Sequence, residues 1–337
     1  MRTAFGADFD VPAGYLNTPS IGIPPAAVAD AVAASVEAWR TGANHPGDFE
    51  PLVARGRESF AGLIGVPADR IAIGTAVAQL LATVAAGLPD GARVLTAAGE
   101  FTSTTFPFAA RGARITEVPV AELPGAVRGH DLVTVSVAQS ADGALVDLDA
   151  LRAEAEAAGV PVVLDATQAA GWMPLDLEWA DWVVAAGYKW LMSPRGCAWL
   201  AVHPRVAERT VPVVANWYAG EDPWQTTYGM PLRLAQGARR FDLSPVWFAH
   251  AGAAVALPYL ASLDLAAVRA HNVKLADTLL TRLGLPERGS AIVALEADPD
   301  ALTRAGVTAS ARAGKARVGF HLYNTEDDVE RVMDALR

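Results

Sequence analysis

The sequence predicts an α/β fold: a large domain built as a three-layer, mainly parallel sheet, followed by a small C-terminal α/β domain. Three observations carry this. Between residues 71 and 202 short β-branched runs alternate with amphipathic helical segments, the pattern of strands buried between two helical layers. An irregular stretch rich in Trp, Tyr, Gly and Pro then interrupts the alternation, and a shorter strand and helix pattern closes the chain. At 337 residues with 52% hydrophobic content the chain also exceeds what a single core usually organises.

In order, residues 93–96, 113–119, 132–137, 161–164, 182–185 and 198–202 read as strands. Helices are expected over 76–87 and 149–158, the second opened by the Asp147/Asp149 cap signal and stopped at Gly159. Residues 216–228 read as a long ordered loop whose aromatic residues are expected to shape a substrate pocket. A helical stretch after Phe241 runs to about Ala261, and 265–283 repeats apolar residues at helical spacing. Strands near 291–295 and 317–323 and a last helix over 325–336, capped by Asn324 or Thr325, complete the chain. The expected division is 15–245 for the large domain and 246–337 for the small one, joined by residues 1–14.

A formal charge of −10 and a pI near 5.1 argue against a nucleic-acid partner, which requires clustered Lys and Arg. The uncharged run 246–263 contains His250, Gly252 and Pro258 and reads as a buried or interface helix, so no membrane partner is expected. One cysteine, Cys197, excludes an intramolecular disulfide and a multi-cysteine metal site. With no basic-then-apolar leader at the N-terminus, the expected location is the cytoplasm. No pair of histidines has metal-ligand spacing, and neither a G-x-G-x-x-G turn nor a G-x-S-x-G elbow is present.

The chemistry is concentrated in Val162-Val-Leu-Asp165-Ala-Thr-Gln168 and in Trp182-Val-Val-Ala-Ala-Gly-Tyr188-Lys189-Trp190, continued by Ser193-Pro-Arg-Gly196. Two apolar strands each deliver polar groups at their C-terminal ends, where open α/β sheets place ligands. An amine beside a carboxylate suits imine catalysis, in which the amine condenses with an aldehyde and the acid holds a pyridine nitrogen protonated. Asp165 and Lys189 fit those roles. The chain has only two other lysines, Lys274 and Lys315, and both fall in polar, solvated settings.

Asp165-x-x-Gln168, Gly187-Tyr-Lys-Trp190 and Pro194-Arg-Gly196 together resemble the cofactor signature of the class V aminotransferases and cysteine desulfurases, pyridoxal 5'-phosphate enzymes of fold type I. Further segments follow in the family's order: Tyr15 to Ser20, Gly74-Thr75-Ala76, Glu100-Phe101 with Phe106-Pro107, Arg239 to Pro245, and Arg317 to Thr325. The resemblance implies that Lys189 holds the cofactor as a Schiff base and that Asp165 pairs with its ring nitrogen. It implies that Gly74, Thr75, Ala76 and Tyr188 serve the phosphate, Phe101 stacks on the ring and Gln168 meets the phenolic oxygen. Ser244 would reach the phosphate of a neighbouring subunit, making the protein a homodimer. Arg317 would grip the carboxylate of an amino-acid substrate. Asn44 and His45 fall where the family places residues near the substrate, as does Gln139 or Ser140, the alignment being open by one residue.

Cys197 begins a strand directly behind Lys189, and residues 305–315 carry no cysteine, so persulfide transfer is not expected. Transamination is the expected reaction, with β/γ-elimination, C–S cleavage or Cα epimerisation as alternatives that share its first proton transfer. A non-catalytic binding protein on the same fold is the alternative of a different class.

Overall fold

The computed structural model describes residues 1–337. The chain opens with a hairpin of β1 (Arg2–Ala4) and β2 (Ala7–Phe9), followed by α1 (Ala26–Arg40) and α2 (Glu50–Ile64). The α/β alternation then comprises β3 (Ile71–Gly74), α3 (Val77–Ala85), β4 (Arg93–Ala97), α4 (Thr102–Ala110), β5 (Arg114–Val118), β6 (Leu132–Ser136), α5 (Leu148–Ala158), β7 (Val162–Asp165), β8 (Trp182–Ala186) and β9 (Ala198–Val202). After a long irregular segment come α6 (Trp247–Ala261), α7 (Leu265–Arg282), β10 (Ile292–Leu295), α8 (Pro299–Arg304), β11 (Ser310–Arg312), β12 (Lys315–Gly319) and α9 (Glu326–Ala335).

Seven strands form one sheet in the order β3-β9-β8-β7-β6-β4-β5. The run β8-β7-β6-β4-β5 is parallel, whereas β9 lies antiparallel to both its neighbours. Strands β6, β7, β8 and β9 are buried along their whole length, as expected where helices cover both faces. Asp147 caps α5 by accepting from Ala150 N at 2.9 Å, and Gly159, at φ 66°, ends it in the left-handed conformation.

Four departures from the sequence reading have physical causes. Residues 15–20, which resemble the family's opening strand, make only isolated bridges, Tyr15 with Thr308 and Asn17 with Gly319, because Pro19 cannot extend a ladder. The strand expected over 317–323 is β12, which starts at Lys315 and ends at Gly319. A Cβ on Gly319 would lie 2.4 Å from the Pro19 ring, so this backbone approaches too closely for another residue. Helices α1 and α2 were not anticipated: α1 buries only Val28 and so lacks a clear apolar stripe. The uncharged helix α6 packs against α1 and α2, burying His250 and the alanines beside it. It lies on the C-terminal side of the expected 245/246 division, although its contacts are with these N-terminal helices.

The small sheet β10-β12-β11 carries α7, α8 and α9 and has its own core of Leu275, Leu279, Val293, Val318 and Val332 among others. The N-terminal hairpin is tied to it by the Arg2–Asp328 ion pair at 2.6 Å, and Gly14 N donates to the same carboxylate. No single helix is long and apolar enough to cross a membrane. The pair α6 and α7 reaches that composition only together, with a 91° bend between them.

Candidate active site

The parallel register sets Ser136 beside Asp165 at the C-terminal ends of β6 and β7. Asp165 is 5% exposed, accepts from Thr167 N at 2.8 Å and from Thr104 Oγ1 at 3.2 Å, and has no guanidinium partner. Burial raises its pKa above the usual carboxylate value, against the opposing pull of these donors and of Lys189. A second carboxylate, Glu100, is held by Ser136 N at 2.8 Å and Ser136 Oγ at 2.6 Å, and burial raises it too.

Lys189 lies on a tight turn after β8. Ser193 N closes the turn on Gly187 O at 2.9 Å, Met192 N donates to Lys189 O at 3.1 Å, and Met192 takes a left-handed φ of 51°. Strain of this kind in a non-glycine residue recurs where a site demands a particular backbone path. Gly22 fixes the turn from outside: Gly22 N donates to Tyr188 O at 3.0 Å, and a Cβ there would lie 2.0 Å from Lys189 O. The amine is 6% exposed, and burial lowers its pKa to about 8, with Asp165 holding it up. Near neutral pH a useful fraction is therefore an unprotonated nucleophile.

Asp165 and Lys189 share a cavity of about 300 Å³ with Thr75, Ala76, Phe101, Gln168, Tyr188 and Arg195 among its walls. One end is the start of α3, where Ala76 is the cap position and no side chain caps the helix. Its free N–H groups and dipole favour an anion. Gly74 is needed at the entry, since a Cβ would lie 2.5 Å from Gln79 Oε1. That same oxygen accepts from Thr75 N at 3.2 Å. Arg195 lies over the Tyr188 ring at 5.0 Å and adds a cation. The Phe101 ring is 44% exposed, with its centroid 5.4 Å from Lys189 Nζ.

Gln168 is buried, but its amide is committed within the chain. Nε2 donates to Pro19 O at 3.0 Å and to Ser140 Oγ at 3.1 Å, while Oε1 accepts from Trp190 Nε1 at 2.7 Å. Of the two neighbours Gln139 and Ser140, Ser140 lines the cavity, whereas Gln139 donates to Ala98 O at 3.1 Å. Ser140 Oγ also accepts from Arg317 Nη1 at 2.9 Å. Arg317 itself is 1% exposed, stands behind Ser140 and Ser20, and is lowered to about 10 by burial and by Arg312.

Other expected site residues lie elsewhere. Asn44 donates to Ser35 O at 3.1 Å in a hollow between α1, α2 and α6, and His45 is exposed at the start of a short 3-10 turn. Ser244 does not line this chain's cavity. Its neighbour Leu243 is bonded to Ile73 O, and Asp242 joins Arg57 at 2.7 Å, which pins the segment along β3. The aromatic loop also stays outside the cavity: Trp217 packs on Trp224, and Tyr218 OH donates to Glu50. Arg195, Glu100 and Gly22 have no role of their own in the sequence reading. Arg195 stood in plain view inside Pro194-Arg-Gly196, whereas Gly22 carries no local signal.

Cys197 is fully buried and its thiol is pushed up by burial, beyond the range of a reactive thiolate. No group of three or more His, Cys, Asp or Glu side chains is arranged to hold a metal ion. The residues present do fit pyridoxal phosphate. An uncapped helix start suits the phosphate, a buried carboxylate suits a pyridinium, a depressed amine suits an aldehyde, and an aromatic face overhangs the space between them.

The aminotransferase class-V family model matches residues 33–300. Kynureninase of Deinococcus radiodurans is 30% identical over 325 residues, covering 85% of this chain and 79% of that protein. Isopenicillin N epimerase of Streptomyces clavuligerus is 27% identical over 340 residues, covering 85% and 84%. Among solved structures, the cystine C-S lyase C-DES superimposes with a TM-score of 0.84 at 20% identity over 97% of both chains. A cysteine desulfurase from Thermococcus onnurineus NA1 gives 0.83 at 18% identity over 96% and 94%. The chain therefore belongs to the aminotransferase class-V family of fold type I pyridoxal-phosphate enzymes.

Proposed function

We propose that this protein is a pyridoxal-phosphate enzyme acting at the Cα of an amino acid, and that its reaction is transamination. The observation that carries the reading is the pairing of a buried, depressed Lys189 with the buried Asp165 in one cavity. Bound there, the cofactor supplies an electron sink that acidifies the substrate Cα–H.

The chain's own groups would then divide the work. Lys189 would hold the cofactor by its aldehyde and, as the one amine in the cavity, would take the Cα proton of the substrate. Asp165 would hold the ring nitrogen's proton, and Thr167 and Thr104 hold that carboxylate in place. The start of α3 with Thr75 and Ala76, helped by Tyr188 and Arg195, takes the phosphate. Phe101 covers one face. Ser140 stands between Gln168 and the cavity: its oxygen already accepts from Gln168 and Arg317, so its own proton is free to be donated inward. Gln168 thus acts through Ser140 in place of meeting the cofactor oxygen directly.

The composition of the cavity favours a reaction run by one proton-shuttling amine over epimerisation. Its titratable lining groups are Asp165, Tyr188, Lys189 and Arg195, so Lys189 is the one amine able to shuttle a proton along a single face. Epimerisation is best served by a second acid or base opposite it. A homodimer with Ser244 facing the neighbouring site, and a cytoplasmic location, complete the reading.

Product analysis tests the reaction. With single amino acids, one equivalent of 2-oxo acid per site should form, with further turnover only when a second 2-oxo acid is supplied. Catalytic release of ammonia would assign a lyase, and racemised substrate an epimerase.

A further inference from the structure

We infer that the substrate carries a second anionic group besides its α-carboxylate, and that Arg312 on β11 is the residue that selects it, beside Arg317 on β12. This rests on the reading of Arg317 as the α-carboxylate site and extends it to the class of substrate.

In the small sheet, Ser310 pairs with Arg317 and Arg312 with Lys315. Alternate strand residues share a face, so Ser310, Arg312, Lys315 and Arg317 all project from one side, while Ala316 and Val318 enter the core on the other. Of the three cations on that side, Lys315 is paired with Glu296 at 2.7 Å. Arg317 and Arg312 are not paired with acids. Arg317 meets Ser310 Oγ at 3.2 Å, Ser140 Oγ at 2.9 Å and Ser20 Oγ at 2.8 Å, besides Ser140 O. Arg312 meets Ala311 O at 2.6 Å and Ser20 Oγ at 3.4 Å.

Both guanidinium groups therefore converge on one serine oxygen, with their nitrogens at most about 6 Å apart. Like charges at that separation with only neutral partners are unfavourable unless an anion joins them. Ser20 accepts from both, which leaves its proton directed away from them as a further donor to that anion. The cluster adjoins two residues of the cavity wall: Pro19 O, next in the chain to Ser20, accepts from Gln168, and Ser140 Oγ accepts from Arg317. The charge of Arg312 is felt at both Arg317 and Lys189.

The balance of charge then points to two anions. A guanidinium fork matches one carboxylate. Once the cofactor phosphate is met by the start of α3 and Arg195, two guanidiniums remain for a single α-carboxylate. A side-chain carboxylate or sulfinate satisfies the second. Arg312 is exposed on a short hairpin, so its side chain can turn to groups at different reach, as a substrate with one or two extra methylenes would require.

Isothermal titration of the holoenzyme with glutarate and adipate, against pentanoate and hexanoate, reads this recess without turnover. The dicarboxylates should bind at least about tenfold more tightly than the monocarboxylates of equal length, and Arg312→Gln should remove that preference. Equal affinities in the wild type would overturn the inference. So would an equal loss for both classes in the variant, because both arginines would then grip one carboxylate. Failure of the cofactor reading is separate: it would appear as the absence of a lysine-bound cofactor band in the visible spectrum, whatever the titration gives.

Discussion

The two ends of the large sheet handle charge in opposite ways. At the N-terminal edge two carboxylates are each held by a guanidinium. Asp131 pairs with Arg93 at 3.0 Å, and the Arg93 hydrogen bonds hold its carboxyl down at about 2. Asp181 pairs with Arg205 at 2.8 Å and also accepts from Val162 N at 2.9 Å. At the C-terminal edge Asp165 and Glu100 are raised by burial and Lys189 is lowered to about 8, while Arg317 of the small sheet, bonded to Ser140 beside that edge, is lowered to about 10. The first edge spends its charges on the fold. The second leaves them unbalanced in a cavity, and the imbalance marks where a charged cofactor and substrate complete the structure.

Neutralisation should therefore act in opposite senses at the two edges. The largest effect is expected for Asp165→Asn, which keeps the shape but removes the acid that holds the pyridine proton. Turnover should fall by roughly 100-fold or more, while the cofactor-free protein is no less stable, because a costly buried charge is gone. A clear drop in melting temperature would mean that Asp165 is structural. At the opposite edge Asp181→Ala leaves Val162 N without its acceptor and Arg205 without its pair. About 1–3 kcal/mol of stability should be lost in urea unfolding, with turnover per folded molecule little changed. Equal losses of activity at the two edges would erase the distinction between them.

The pH dependence sharpens the same contrast. The folded value for Lys189 lies below the ordinary lysine value of 10.5, so the unfolded chain holds this proton more tightly. The cofactor-free protein should gain stability as pH rises from about 8 towards 10.5, by up to about 3 kcal/mol. Thermal unfolding of wild type and Lys189→Met across that window isolates the contribution, and curves that run parallel would show that burial does not depress this amine.

How far the sequence revealed this site depends on how each residue reaches it. Asp165 and Lys189 stand at or just beyond strand ends, and Gln168 lies three residues past Asp165, so apolar runs followed by polar residues locate them directly. Gln139 and Ser140 differ by one position beyond β6. Alternation sends one towards Ala98 and the other into the cavity, and only the backbone path decides which. Gly22 and Arg312 reach the Lys189 turn and Ser20 across long stretches of chain, through contacts that no local pattern encodes. Asn44 and His45 lie in a loop whose sequence carries no strand or helix period, and in this chain neither lines the cavity. Helices α1 and α2 escaped notice because α1 shows little amphipathic patterning, while α6, which covers both, is apolar all round.

The proposed chemistry depends on which amine carries the cofactor. Lys274 forms an exposed ion pair with Glu326 at 3.1 Å and Lys315 one with Glu296 at 2.7 Å, so neither is presented to the cavity. Borohydride reduction of the cofactor-loaded protein, followed by peptide mapping, should place the label on Lys189 alone, and Lys189→Ala should abolish it. Label on Lys274 or Lys315, or full labelling of the Lys189→Ala protein, would contradict the account.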